Sequence, residues 1–172
     1  MGYTVRAGTV EDAEAIHEIW LNGVENSLGS APSGEVDYAA YFRQRLAAQN
    51  DVFKYFVVEN SDGEVVSWQS LSPFRSNPAV VGVMAELSAY TSPKQMPGRP
   101  TLLGLEETFR FADRSPLHYV VAFIASSNAA ALRLSEHLGM RNIGTFPIAP
   151  QAPHLPELAY MVYPCKNSKT AG

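Results

Sequence analysis

The chain has 172 residues, of which 46% are hydrophobic, 10% aromatic and 17% charged. That composition belongs to a globular chain able to bury its own core and excludes a disordered one. Thirteen basic against seventeen acidic residues leave a formal charge of −4, which is no cationic footprint for nucleic acid.

The lone Cys165 has no partner for an internal disulfide, and the pattern reads as cytoplasmic. No apolar run reaches the roughly 18 residues that a bilayer span needs, so no membrane partner is expected. The four histidines (17, 118, 137 and 154) are scattered without ligand spacing, and no metal site is expected. Residues 1–165 read as one domain and 166–172 as a polar tail.

Tyr3 to Arg6 reads as a short strand. Thr9-Val-Glu-Asp12 has the form of a helix start, with Thr9 as cap and acids in the first turn. Ala13, Ile16, Ile19, Trp20 and Val24 then recur at helical spacing. A polar loop with Gly29, Pro32 and Gly34 separates this helix from a second one over Tyr38–Ala48. Two apolar runs, Tyr55–Glu59 and Glu64–Leu71, flank Asn60-Ser-Asp-Gly63 and predict a hairpin.

After a proline-containing loop, Val80–Thr91 reads as the fourth strand. Leu102, Leu105, Phe109 and Ala112 mark a helix, His118–Ala125 a buried strand, and Asn128–Leu138 a helix with Gly139 at its C′ position. Ile143–Phe146 and Leu158–Tyr163 are the last strands. The order β-α-α-β-β-β-α-β-α-β-β predicts an α/β (α+β) domain with a central mixed sheet and helices on both faces.

Two stretches carry the chemistry. Ala85-Glu86-Leu-Ser-Ala-Tyr90-Thr-Ser-Pro93 runs into Gln95-Met-Pro-Gly98-Arg-Pro100 and then a helix. A strand, a glycine-containing loop and a helix N-terminus together form an anion site. Asn128-Ala-Ala-Ala-Leu-Arg-Leu-Ser-Glu-His-Leu-Gly-Met140 is the second stretch.

Together they resemble the GNAT superfamily of N-acyltransferases, most closely its phosphinothricin acetyltransferase group. Ser72-Pro-Phe-Arg75, the hairpin from Val58 to Val66 and Val24-Glu-Asn-Ser27, which resembles the group's first substrate-side loop, carry the same resemblance, which spans Thr4 to Tyr163.

The resemblance implies a fold with splayed fourth and fifth strands and acetyl-CoA as donor substrate in the cleft between them. The pantetheine arm would lie along the backbone of Ala89, Tyr90 and Thr91. The pyrophosphate would sit on Gln95, Met96, Pro97, Gly98, Arg99 and Pro100, with Asn128 facing the cofactor. Glu86 stands where the group carries its general base, and Ser135 where members carry the acid that protonates the leaving thiolate. The acceptor would be the primary amine of a small amino-acid-like molecule, giving an amide. Relatives of the group are often dimers, so a homodimer belongs to the expectation.

Two departures bear on this reading. Pro97 and Pro100 each remove an N–H from a loop that works by offering N–H groups, and a lost charge-assisted bond costs about 1.5–3 kcal/mol. At the first helical position Pro100 costs the helix no bond, but in this fold those unpaired N–H groups are the phosphate ligands. Serine at position 135 is a poor acid at neutral pH; His137 or a tyrosine is the substitute. These departures motivate two alternatives: a carrier-protein thioester or aminoacyl-tRNA as donor, and a binding protein without catalysis. The net charge argues mildly against tRNA.

Other residues read mainly as structure. Tyr38 and Tyr41 are assigned to helix packing ahead of lining the acceptor pocket, Trp68 and Phe74 to core or pocket wall ahead of specific ligand binding, His137 and Arg75 to the solvated surface, and His154 to a loop.

Overall fold

The computed structural model describes residues 2–28, 36–95, 98–148, 150–151 and 153–166, with only the backbone of 25–28. Seven strands form one sheet in the order β1-β2-β3-β4-β5-β7-β6. They are β1 (Thr4–Ala7), β2 (Tyr55–Glu59), β3 (Val65–Pro73), β4 (Met84–Thr91), β5 (Tyr119–Ala125), β6 (Arg141–Phe146) and β7 (Leu158–Pro164). The helices are α1 (Ala13–Leu28), α2 (Tyr38–Ala47), α3 (Arg99–Arg114) and α4 (Ala129–His137). Every strand pair is antiparallel except β4–β5.

Strand alternation divides the core. Ala85, Leu87, Val120, Ala122, Met161 and Tyr163 pack with Leu105 and Phe109 of α3 and with Leu132 and Leu138 of α4 on one face. Val57 and Trp68 pack with Ile16 and Ile19 of α1 and Phe42 and Leu46 of α2 on the other. The Trp68 indole donates to the Ile16 carbonyl at 3.1 Å and stacks on Tyr90 at 5.0 Å. Its assignment to packing holds.

The turn chemistry follows the sequence. Gly63 takes φ +79° and its N–H closes the hairpin on the Asn60 carbonyl at 3.1 Å. Gly139 takes φ +95° after the Leu138 cap of α4.

Four expectations need correction. The fourth strand starts at Met84, not Val80: Val80 and Val83 donate to the carbonyls of Asn77 and Val80, so consecutive turns consume the backbone that a strand would offer. The third helix begins at Arg99, because Gly98 at φ +131° caps it. Val24–Ser27 is backbone of α1, not a loop. Thr9 does cap the first helix, but its hydroxyl donates to Asp12 (3.2 Å); the Asp12 carboxylate accepts the Thr9 N–H at 2.7 Å. Arg6 holds that carboxylate through two 2.7 Å bonds and also reaches Glu59. The expected loop at Gly29, Pro32 and Gly34, and the tail beyond Lys166, lie outside the described residues.

Candidate active site

The β4–β5 ladder has three rungs: Met84↔Tyr119, Ala85↔Val120 and Glu86↔Val121. β4 then continues to Thr91 and β5 to Ala125 with no further register between them, while β4 stays paired with β3 as far as Ser67↔Thr91. Glu86 therefore sits on the last rung, where the two strands part.

By alternation, Glu86, Ser88 and Tyr90 face the α1–α2 side, and Leu87, Ala89 and Thr91 the α3 side. Glu86 is half-buried. Burial pushes its carboxyl pKa above the ordinary carboxylate range, and the charge of Arg45 partly opposes that.

Arg45 comes from the last turn of α2. Among the described residues it forms no ion pair. Its guanidinium lies 5.9 Å from the centre of the Tyr41 ring and interacts with the Tyr55 hydroxyl. Arg45, Tyr55, Leu71, Ser72 and Pro73 line a pocket of about 120 Å³. Ser72 is the cross-strand partner of Glu86, so this pocket adjoins the carboxylate. Sequence reasoning missed Arg45. The available signal was a cation on the apolar stripe of Phe42 and Leu46, where a surface face would be polar.

At the other end of β4, hydroxyls join three elements. Ser67 Oγ donates to the Tyr90 carbonyl (2.9 Å) and lies 3.0 Å from Thr91 Oγ1, which lies 2.6 Å from Thr101 Oγ1 in α3. Gln69 Nε2 donates to the same Ser67 oxygen at 2.8 Å. The first turn of α3 is thereby tied to the end of β4.

Gly98 caps α3, which places Arg99 first and Pro100 second in the helix. The expectation of a first-position proline is thus off by one residue. The helix loses no bond at either position, because neither N–H has an intrahelical acceptor, but Pro100 offers no donor to an anion. Gly98, Arg99 and Thr101 keep their N–H groups, and the Leu102 N–H is the first bonded back, to the Gly98 carbonyl. Gln95 is held in a turn by its N–H to the Ser92 carbonyl, and its side chain accepts from Tyr3 at 3.4 Å. Met96 and Pro97 lie outside the described residues.

Asn128 caps α4, accepting the Ala131 N–H at 3.1 Å. Ser135 is buried in α4 at 7% exposure, and no hydrogen bond joins it to Glu86. Among the described residues no His, Cys, Asp and Glu group could hold a metal, and no helix is long and apolar enough to cross a membrane.

This arrangement offers an anion-binding helix end, an opened strand pair and a carboxylate at its apex. Residues 3–141 match the family model described as an acetyltransferase (GNAT) domain. The chain belongs to the GNAT family. It is accordingly an enzyme of the N-acyltransferase type.

One GNAT relative, the Bacillus subtilis (strain 168) protein named "Putative phosphinothricin acetyltransferase YwnH", is 26% identical over 147 residues, which is 84% of this chain and 87% of that protein. A ribosomal-protein-alanine N-acetyltransferase from Brucella melitensis is 27% identical, superposes with a TM-score of 0.80, and is matched over 94% of this chain and 99% of its own. A GNAT superfamily phosphinothricin acetyltransferase from Sinorhizobium meliloti, solved in complex with AcCoA, shares the fold at a TM-score of 0.79 and 21% identity, over 99% of this chain and 92% of its own.

Proposed function

We propose that this chain transfers an acetyl group from acetyl-CoA to the primary amine of a small amino-acid-like molecule, with Glu86 as general base. The observation that carries it is the position of Glu86, a half-buried carboxylate on the last β4–β5 rung.

The residues present fit the donor. The α3 N-terminus, with Gly98, Arg99 and Thr101 offering N–H groups, suits a pyrophosphate; Gln95 stands just before it in the chain, and Asn128 would face the cofactor from the cap of α4. The segment Ala89–Thr91 lies beyond the last β4–β5 rung, where its backbone groups towards β5 make no ladder and would be available to an extended pantetheine arm. Acetyl-CoA would supply the thioester electrophile.

The protein's part is then proton handling and orientation. The Glu86 carboxylate takes a proton from the acceptor ammonium, directly or through water, and frees the lone pair for attack. Arg45, which forms no ion pair among the described residues, holds an acidic group of the acceptor in the adjoining pocket. As the C–N bond forms and the C–S bond breaks, the sulfur leaves as thiolate, and the second proton of the original ammonium, now on the new amide nitrogen, passes to water. A thiol of pKa about 8.5 is a tolerable leaving group at neutral pH, so Ser135 need not protonate it.

Calorimetric titration with acetyl-CoA, followed by an amine screen in wild type and Glu86→Gln, tests the proposal. Micromolar binding and turnover that collapses in the variant are expected. No heat and no thermal shift at millimolar acetyl-CoA would reject it, and turnover with a loaded carrier protein or aminoacyl-tRNA would replace the donor.

A further inference from the structure

The sheet face that carries Glu86 is covered unevenly. α1 and α2 lie over its β1–β4 half, packed on Val57 and Trp68. Across the opened angle, the β5-β7-β6 half presents rings instead. Phe123 of β5 stands opposite Tyr160 of β7, and the two stack at 5.2 Å with their planes 16° apart. Phe146 at the end of β6 meets both, edge-on to Phe123 at 5.5 Å and tilted on Tyr160 at 5.8 Å. Phe74, just past β3, crosses to within 6.1 Å of Phe123. Phe146 is 50% exposed and Ile148 49%. Gly144, the rung partner of Tyr160, puts no side chain beside that ring.

Phe123 lies two residues beyond Val121, the rung partner of Glu86, and so on the same face and one step into the splay. Aromatic residues in a core normally lose most of their exposed area. Here they form a wall that begins beside the proposed base and, among the described residues, leaves its outer ring Phe146 half exposed. The pocket with Arg45 lies on the opposite side of Glu86, towards β3 and β2. The carboxylate is thus bracketed by a cation on one side and a ring wall on the other.

The geometry points to an acceptor that carries a bulky apolar side chain, preferentially a planar aromatic one, seated on Phe123 and Tyr160 while its ammonium meets Glu86. This inference rests on the proposed function and narrows its acceptor to amino acids with aromatic or large apolar side chains. Continuity with Glu86 argues for this occupant: a ligand on the wall reaches the base without crossing a helix. Because the two rings stack on each other, they offer their shared edges and the outer face of each ring, where a planar group packs edge-to-face or offset better than a branched one, and better still than a small polar one.

The test is CoA release from acetyl-CoA with L-phenylalanine, L-tyrosine, L-tryptophan, L-leucine, L-serine, L-aspartate and phosphinothricin. It is run on wild type, Phe123→Leu, Phe123→Ala and Tyr160→Ala. Expected is a kcat/KM for an aromatic acceptor at least about tenfold above those for serine and aspartate. Phe123→Leu, which keeps the bulk and loses the ring, should raise the KM for that acceptor about fivefold and leave the KM for acetyl-CoA unchanged.

Equal or better use of serine, aspartate or phosphinothricin overturns the inference and leaves the proposed function standing. So does a Phe123→Leu effect confined to the KM for acetyl-CoA or for longer acyl-CoAs, which would give the wall to the donor. Acetyl-CoA binding without acetylation of any amine overturns the proposed function and this inference with it.

Discussion

The hydroxyl of Thr101 lies 2.6 Å from that of Thr91, joining the first turn of α3 to the last residue of β4. Each hydroxyl has one proton. Ser67 gives its own to the Tyr90 carbonyl, so Thr91 must donate to Ser67, and Thr101 to Thr91. The chain of donation therefore has one direction, from the helix start to the strand edge. It fixes the N–H groups proposed to hold the pyrophosphate.

Thr101→Val keeps the β-branched shape and removes the donor. We expect a loss of about 1 kcal/mol in unfolding free energy, measured by urea denaturation. The KM for acetyl-CoA should rise severalfold with kcat little changed, because the loss falls on the binding of the donor and not on proton transfer. An unchanged KM would separate this hydroxyl chain from donor binding.

As the proposed base, Glu86 would work only when ionised, and burial raises its pKa. The acid limb of kcat/KM should therefore lie above the ordinary carboxylate range, and activity should fall as pH drops through it. Arg45 opposes the burial effect, so Arg45→Met should move the limb further up, whatever it does to acceptor KM. Glu86→Gln should lower kcat/KM about 10²–10⁴-fold and abolish the limb. A pH–rate profile of the three proteins checks both statements. A limb that stays put in Arg45→Met would break the electrostatic link.

Ser135→Ala should change kcat by less than about threefold. Ser135 is buried in α4 and makes no hydrogen bond to Glu86, and a thiolate of pKa about 8.5 leaves without an acid. Stopped-flow measurement of CoA release decides it. A drop of about a hundredfold would restore the serine as acid.

The sequence and the structure part where long-range geometry takes over from local rules. Hairpin glycines, helix spacing and the Asn128 cap are local, and they were legible in Gly63, Gly139 and the stripe of Ile16 and Ile19. Glu86 was legible through the segment around it. Its position on the last rung was not, since that depends on β5, a strand more than 30 residues away in sequence. Val80–Val83 reads as strand because Val80, Val81 and Val83 are β-branched, but turn hydrogen bonds outweighed propensity there. The ring wall needs the register Phe123↔Tyr160, which no pattern in either strand encodes. Arg45 was on the page as a charge within an apolar stripe, yet its neighbours Ser72 and Tyr55 come from strands.

Asp12 is 6% exposed, and its burial would raise its pKa, but Arg6 and the Thr9 N–H outweigh that and lower it. A lowered carboxylate contributes stability that is present above its unfolded-state pKa and lost as pH falls through the native one. The Arg6 side chain is 36% exposed, which discounts the pair below a fully buried one. Asp12→Asn should cost about 1–3 kcal/mol at pH 7. The gap to wild type should narrow steadily in acid, as read from urea unfolding between pH 7 and pH 3. A gap independent of pH would assign the effect to the cap alone.

Gly104 lies within α3 against β3, and a Cβ there would stand 1.8 Å from Gln69 Oε1. Gln69 is fully buried, and its Nε2 is committed to Ser67 Oγ, so the amide has no room to retreat. Gly→Ala inside a helix ordinarily stabilises by about 0.5–1 kcal/mol. Here the sign should reverse, with a loss of about 1–3 kcal/mol from overpacking. Because Gln69 also anchors the Ser67 end of the hydroxyl chain, the KM for acetyl-CoA should rise as well. Gln69→Ala removes the obstacle, and the double variant should recover part of the loss, a coupling that a thermodynamic cycle of urea midpoints measures. Additive losses would mean that the two residues do not share the contact. A stabilised Gly104→Ala would mean that Gln69 has somewhere else to go.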